Sequence, residues 1–236
     1  MTAGFEDRAS DWIRFARTEG HDSYWRYRDA FFDLLPPAPA RALEVGCGEG
    51  RVARDLADRG YAVTGLDIAP SLVAAAADAD PRSEYVVGDA SGLPFADGRF
   101  DLLVSYNSLI DIDDMRAAVA EGGRVLRDGG HFCACVPHPF SEAGEFTGAD
   151  ADAPFVVEGS YLAESAYELV SERNGIRFAF ASHRYPLEAY SRALEDAGLV
   201  IEALREPPLP PGGAAHRRTR IPLFLLWRAA KRESRA

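Results

Sequence analysis

Ala42-Leu43-Glu44-Val45-Gly46-Cys47-Gly48-Glu49-Gly50 is the stretch that decides how the rest of the chain reads. Ala42, Leu43 and Val45 form the short apolar run expected of a central parallel strand buried on both faces. Glycines then take alternate positions 46, 48 and 50, which permits positive φ and removes Cβ atoms that would keep a ligand off the backbone. Val52, Ala53, Leu56 and Ala57 recur at helical spacing, and Gly60 stops that helix. Strand, glycine turn and helix in this order form the first half of a nucleotide-binding βαβ unit.

The glycine spacing separates two ligand classes. A dinucleotide site wants G-x-G-x-x-G, with diphosphate on the helix N-terminus. Here the pattern is G-x-G-x-G and position 51 is Arg, so the third glycine of that fingerprint is missing. Glu44 also sets a carboxylate where diphosphate would be poorly received. A ligand with an adenosine half and a cationic half suits the turn better.

Outward from the turn, strands and helices alternate as a doubly wound sheet requires. Strands are expected at Tyr61–Leu66, Glu84–Val87, Phe100–Ser105 and His131–Val136, with helices from Ser71 and over Met115–Leu126. Four strand ends deliver polar residues, on the side where open α/β sheets bind ligands. Asp67 lies 21 positions beyond Gly46, a spacing that suits a carboxylate accepting two ribose hydroxyls. Asp89 ends the next strand, where it could accept from an adenine amino group while the Ala90 amide donates to a ring nitrogen.

Taken together, L-E-V-G-C-G-E-G, G-L-D-I-A-P-S-L, G-D-A-S-G-L-P-F-A-D-G-R-F-D-L-L-V-S and R-V-L-R-D-G-G resemble the core of class I S-adenosylmethionine-dependent methyltransferases. The likeness covers roughly residues 40 to 136 and is strongest to the branch holding the quinone and small-molecule enzymes. Asp128 replaces the usual proline of the last motif. The resemblance implies a Rossmann-like, mostly parallel seven-stranded sheet whose last strand runs antiparallel. It implies S-adenosyl-L-methionine as cofactor and S-adenosyl-L-homocysteine as product. Gly46, Cys47, Gly48 and Gly50 would line the methionine half, with Glu44 near its ammonium. Asp67 and Ile68 would hold the ribose, Asp89 and Ala90 the adenine, and Tyr106 and Asn107 would close the site at the fourth strand end.

The acceptor is less legible. Enzymes that methylate exocyclic amines of bases carry Asn/Asp-Pro-Pro-aromatic at that strand end. This chain reads Tyr106-Asn107-Ser108-Leu109-Ile110-Asp111 instead, and Asp111, Asp113 and Asp114 read as a capping and solvated acidic cluster. The net charge of −11 also disfavours nucleic acid, which needs a basic face. A small molecule, apolar or aromatic, is the expected acceptor. The alternatives are an RNA or protein methyltransferase docking through the basic stretch Arg217 to Arg235, or a cofactor-binding protein that transfers no methyl group.

Four regions follow: residues 1–35 as an aromatic-rich helical lid, 36–136 as the cofactor core, 137–184 as a substrate-side insertion, and 185–236 completing the sheet. A helix over Leu187–Ala197, strands over Val200–Leu204 and Ile221–Trp227, and a mobile loop at 206–220 are expected in the last. A general base is needed only where the acceptor must lose a proton. His138, which follows the fifth strand directly, and His183 are the candidates. Tyr24, Tyr161, His21 and Arg17 are the candidates for acceptor contacts. Cys133 and Cys135 match no zinc spacing and read as buried thiols, so no metal is expected. With no signal-peptide apolar region and no apolar run long enough to span a bilayer, a cytoplasmic protein is expected, as monomer or homodimer.

Overall fold

The computed structural model describes residues 3–20, 22–173, 176–209 and 217–233, so His21 and the centre of the predicted mobile loop lie outside the described residues. In chain order the helices and strands are α1 (Ala3–Asp7), α2 (Ala9–Ala16), α3 (Tyr24–Phe32), β1 (Arg41–Val45), α4 (Arg51–Asp58), β2 (Ala62–Asp67), α5 (Pro70–Ala79) and β3 (Glu84–Val87). They continue with β4 (Phe100–Tyr106), α6 (Met115–Val125), β5 (Leu126–Pro137), α7 (Pro139–Glu142), β6 (Gly144–Phe146) and β7 (Phe155–Val157). The chain closes with β8 (Ser165–Arg173), β9 (Ile176–Arg184), α8 (Leu187–Asp196), β10 (Leu199–Arg205) and β11 (Phe224–Lys231).

Seven strands form one sheet in the order β10-β11-β5-β4-β1-β2-β3, and β11 runs antiparallel to both of its neighbours. This is the doubly wound sheet that the motif order predicts. The order reverses between β1 and β4, and the glycine turn sits at that switch point. β6 pairs with β7, and β8 with β9, as two separate hairpins within the predicted insertion.

Alternating strand residues feed two cores, which is why the central strands read as unbroken apolar runs. Leu43, Leu103, Phe132 and Trp227 pack against α6 and α8 on one face. Ala42, Leu102, Val104, Cys133 and Cys135 pack against α3 and α4 on the other. Each fully buried Leu or Phe side chain contributes about 1.5–3 kcal/mol relative to exposure.

Three details depart from the sequence expectations. Tyr24, Tyr27, Phe31 and Phe32 of α3 are buried in the second core, so this helix is a wall of the sheet and only α1 and α2 lie beyond it. β5 begins directly after α6, and the predicted Asp128-Gly129-Gly130 turn is a looped-out register shift within it, eased by Gly129 at φ 70°. β11 starts at Phe224 and not at Ile221, because Pro222 has no N–H to give the ladder. No helix among the described residues is long and apolar enough to cross a membrane.

Candidate active site

A cleft of about 570 Å³ opens over the C-terminal ends of β1, β2, β3 and β4. Its floor is the glycine turn. The Gly46 and Cys47 N–H groups both donate to Leu66 O (2.8 and 3.0 Å), drawing the turn against the tip of β2. Gly46, Gly48 and Gly50 have φ of 71°, 55° and 85°, the left-handed region that side chains resist. A Cβ on Gly46 would stand 2.3 Å from Ser108 Cβ, and one on Gly48 would stand 3.0 Å from Trp12 Nε1. The turn is therefore a backbone cradle that side chains would fill.

Asp67 ends β2 beside this cradle, buried at 8% exposure. Its Oδ2 accepts from Gly48 N–H (2.8 Å) and its Oδ1 from Ala69 N–H (3.0 Å), with the Ile68 amide as a further donor. Burial raises its pKa against the lowering effect of those amides. Asp89 ends β3 in a tight turn, where Oδ1 accepts from the Ser91 N–H (2.8 Å) and hydroxyl (2.5 Å). Ile68, Ala90, Tyr106 and Asn107 also line the cleft. Asn107 is the one described non-glycine residue with positive φ, at 59°, a backbone conformation that turns the chain sharply at the tip of β4.

Three predicted cofactor residues stand elsewhere. Glu44, Cys47 and Gly50 are buried and are not in the cleft wall. Glu44 is 2% exposed and its Oε2 has no hydrogen-bond partner; burial first, then the Asp67 charge, lifts its pKa well above the carboxylate range. Gly50 is close-packed on Ala76 and the Tyr85 hydroxyl, which leaves no space there for a side chain. Even so, the cleft's donor set fits S-adenosylmethionine: a side-chain-free cradle, a buried strand-tip carboxylate, and an orphaned buried carboxylate oxygen below.

The N-terminal segment covers the cradle. Phe5, Trp12 and Phe15 line the cleft, and Glu6 of α1 accepts from the Ser71 N–H (3.0 Å) and hydroxyl (2.5 Å) at the start of α5. Arg51, the residue in the place of the missing glycine, pairs with Asp22 (2.6 Å) and lies over the rings of Tyr24 (4.4 Å) and Trp12 (5.6 Å). Arg17 does not reach the cleft. It clamps α2 to the turn through Glu49 (2.7 Å) and Ala75 O (2.9 Å). Tyr24 is buried, with its hydroxyl on Asp55 and its ring edge-on to Tyr106 (5.2 Å), and it likewise lies outside the cleft wall.

Neither predicted histidine lines the cleft. His138 Nδ1 accepts from Phe140 N–H (3.1 Å), capping α7, and Nε2 meets Glu206 Oε1 (2.8 Å), so both ring nitrogens are committed. His183 stacks on Tyr185 (5.9 Å between ring centroids) and its amide donates to Ile110 O (2.8 Å). Tyr161 lines a separate cavity of about 780 Å³ inside the insertion, where its hydroxyl accepts from Leu187 N–H (3.1 Å). The two cavities meet at Glu142, whose Oε2 takes the Tyr167 hydroxyl (2.9 Å).

The residue that sequence reading undervalued is Asp111. Of the predicted acidic cluster Asp114 is a cap, accepting from Ala117 N–H (2.9 Å) at the start of α6. Asp111 instead lines the cleft, half-buried, and its Oδ1 accepts the Ser182 hydroxyl of β9 (2.5 Å). Burial pushes its pKa up to about 7, with the Ser182 hydrogen bond opposing and the Asp67 charge assisting. Its place four residues beyond Asn107, after Leu109-Ile110, was the available signal.

Residues 43–134 match the family model described as a methyltransferase domain. The chain is 38% identical over 112 residues to a demethylmenaquinone methyltransferase of Beutenbergia cavernae, covering 47% of this chain and 46% of that one. It is 37% identical over 106 residues to a malonyl-[acyl-carrier protein] O-methyltransferase of Enterobacter lignolyticus, covering 44% and 42%. These matches span slightly under half of the relatives' length. The fold is shared with an S-adenosylmethionine-dependent methyltransferase of Mesorhizobium loti, with a TM-score of 0.73, 24% identity, and coverage of 89% of this chain and 98% of that one. The glycine cradle and the two strand-tip aspartates fall inside the matched segment, so the cleft floor is built by the part of the chain that is similar to methyltransferases.

Proposed function

We propose that this protein transfers a methyl group from S-adenosylmethionine to a small, largely apolar or aromatic molecule. The observation that carries the reading is the cradle of Gly46 and Gly48 beside the buried Asp67 carboxylate. When bound, the cofactor would supply an electrophilic methyl group on a positively charged sulfur. The chain's part is to position and to exclude water. Asp67 would accept from the ribose hydroxyls, Asp89 and the Ala90 N–H would hold the adenine, and the two glycines would admit the methionine half. Phe5, Trp12 and Phe15 would act as a lid against solvent.

The matched relatives, named for a quinone and for a carrier-bound malonyl group, support an acceptor of small-molecule type. A nucleic-acid acceptor has less support. Within the basic C-terminal stretch Arg218 is tied to Ser141, Arg220 to Ala153 O, Arg228 to Glu202 and Lys231 to Leu126 O. These cations serve internal contacts before any phosphate.

Titration calorimetry should give binding heat for S-adenosylmethionine and S-adenosylhomocysteine and none for NAD. Radiolabelled methyl groups should pass into the small-molecule fraction of a metabolite extract. Heat with NAD and none with either sulfur compound would refute the reading.

A further inference from the structure

The wall of the cleft away from Asp67 and Asp89 is built by the loop after β4 and by the insertion hairpin laid across it. His183 N–H on Ile110 O (2.8 Å) holds the loop backbone, and the Ser182 hydroxyl on Asp111 Oδ1 (2.5 Å) holds one carboxylate oxygen. Ser182 is itself buried at 1% exposure and lines the cleft, so the pair forms a built feature of the wall. His138 and His183 are outside the cleft, and among the described residues that line it the proton-handling groups are carboxylates and phenols.

We propose that Asp111 is the general base of this site, accepting the proton of a phenol or enol hydroxyl on the acceptor, with Ser182 as its positioning residue. The inference rests on the methyl-transfer reading above. In the step, the acceptor's O–H bond breaks, the proton goes to the Asp111 carboxylate and the electron pair stays on the acceptor. The acceptor's nucleophilic pair bonds the donor's methyl carbon as the carbon–sulfur bond breaks, and that bond's pair remains on sulfur. The proton leaves Asp111 to water once product departs. An amine free base or a thiolate would have no use for such a group, so the proposed acceptor is hydroxylic, with Ile110, Tyr106 and Phe224 in the wall it would meet.

The environment suits the role. The ionisable groups around Asp111 are Asp113 in its own loop, Asp67 from β2, Glu142 from α7, Tyr167 from β8 and Tyr190 from α8. The cation in the cleft wall, Arg51, is committed to Asp22. Burial first, then the Asp67 charge, pushes the carboxyl up to about 7 against the Ser182 hydrogen bond, which poises it to accept a proton at neutral pH. Because that pKa is raised, the ionised, active form appears as pH increases through 7, so turnover should rise over that interval.

Two measurements test this. In the S-adenosylhomocysteine complex of protein labelled with ¹³C at aspartate carboxyls, one resonance should titrate with a midpoint near 7. It should vanish in Asp111→Asn and move to higher pH in Ser182→Ala, since the serine hydroxyl favours the ionised form. In the radiolabel assay with metabolite extract, Asp111→Asn should bind S-adenosylhomocysteine within about two-fold of wild type and lose about 10²–10⁴-fold in transfer, the range for a positioned base. No aspartate titrating above about pH 5 in protein that binds S-adenosylhomocysteine, or full transfer by Asp111→Asn, overturns the assignment. Wild-type protein that binds S-adenosylhomocysteine yet labels nothing sinks the methyl-transfer reading itself, a result distinct from either.

Discussion

The two halves of the cleft are built by different rules. The half over β1, β2 and β3 is assembled from neighbours in sequence: the glycine turn, Asp67 and Asp89 each cap their own strand, and the partners named for them are two to twenty residues away. The half beyond β4 is assembled from distant pieces. Asp111 is held by Ser182, 71 residues on, and His138 is held by Glu206, 68 residues on. A strand tip reports its own chemistry, whereas a wall made by an insertion reports it only after folding.

The largest effect should come where the halves touch. Gly46→Ala forces a left-handed alanine and drives its Cβ toward Ser108, the first residue of the acceptor-side loop to meet the turn. Left-handed strain of about 1–2 kcal/mol and overpacking of about 1–3 kcal/mol together predict a loss of about 2–5 kcal/mol in chemical denaturation. Cofactor affinity should fall with it. An unchanged midpoint would show that the two halves are not mechanically joined through this glycine.

Asp67→Ala should act on one half alone. Losing its hydrogen bonds to bound cofactor is expected to cost about 1.5–3 kcal/mol of binding in calorimetry. The fold should survive with a smaller loss, because the carboxylate also accepts two turn amides, Gly48 and Ala69. A folded variant with an unaltered dissociation constant would remove Asp67 from the ribose site.

The smallest effect is expected at His138→Ala. A free, cleft-facing imidazole at this position would have predicted a large loss of turnover. With Nδ1 capping α7 and Nε2 on the partly exposed Glu206, turnover should instead change by less than about two-fold, while stability drops by about 0.5–2 kcal/mol for the lost cap. A hundred-fold fall in turnover with normal stability would return His138 to the chemistry and erase the contrast between the halves.

How much was readable follows from the range of the interactions involved. The alternation of apolar runs, the G-x-G-x-G turn and the helical spacing after it specify the sheet, because strand period, helix period and glycine's φ freedom are local properties. Asp67 and Asp89 were legible for the same reason: each is a carboxylate at the C-terminal tip of a strand, on the side where such sheets bind ligands. Glu44 is less legible, since its burial beneath the cleft shows only in the fold. It is within the same motif, but its side chain alternates with that of Val45 and descends below the turn. The partners of Tyr24 and Arg17 were not legible, because a ring or a guanidinium near a site can serve packing and clamping equally well, and here they meet Asp55 and Glu49.

By itself the sequence determined the doubly wound sheet, the turn that can receive an adenosyl cofactor, and the two carboxylates at adjoining strand tips. Only the tertiary structure decided which acidic residue of Asp111, Asp113 and Asp114 is withdrawn from water, and which histidine is already occupied. The physical reason is that a carboxylate's proton affinity depends on what lies across it. For Asp111 that is the β8–β9 hairpin, whose Ser182 reaches it from 71 residues along the chain.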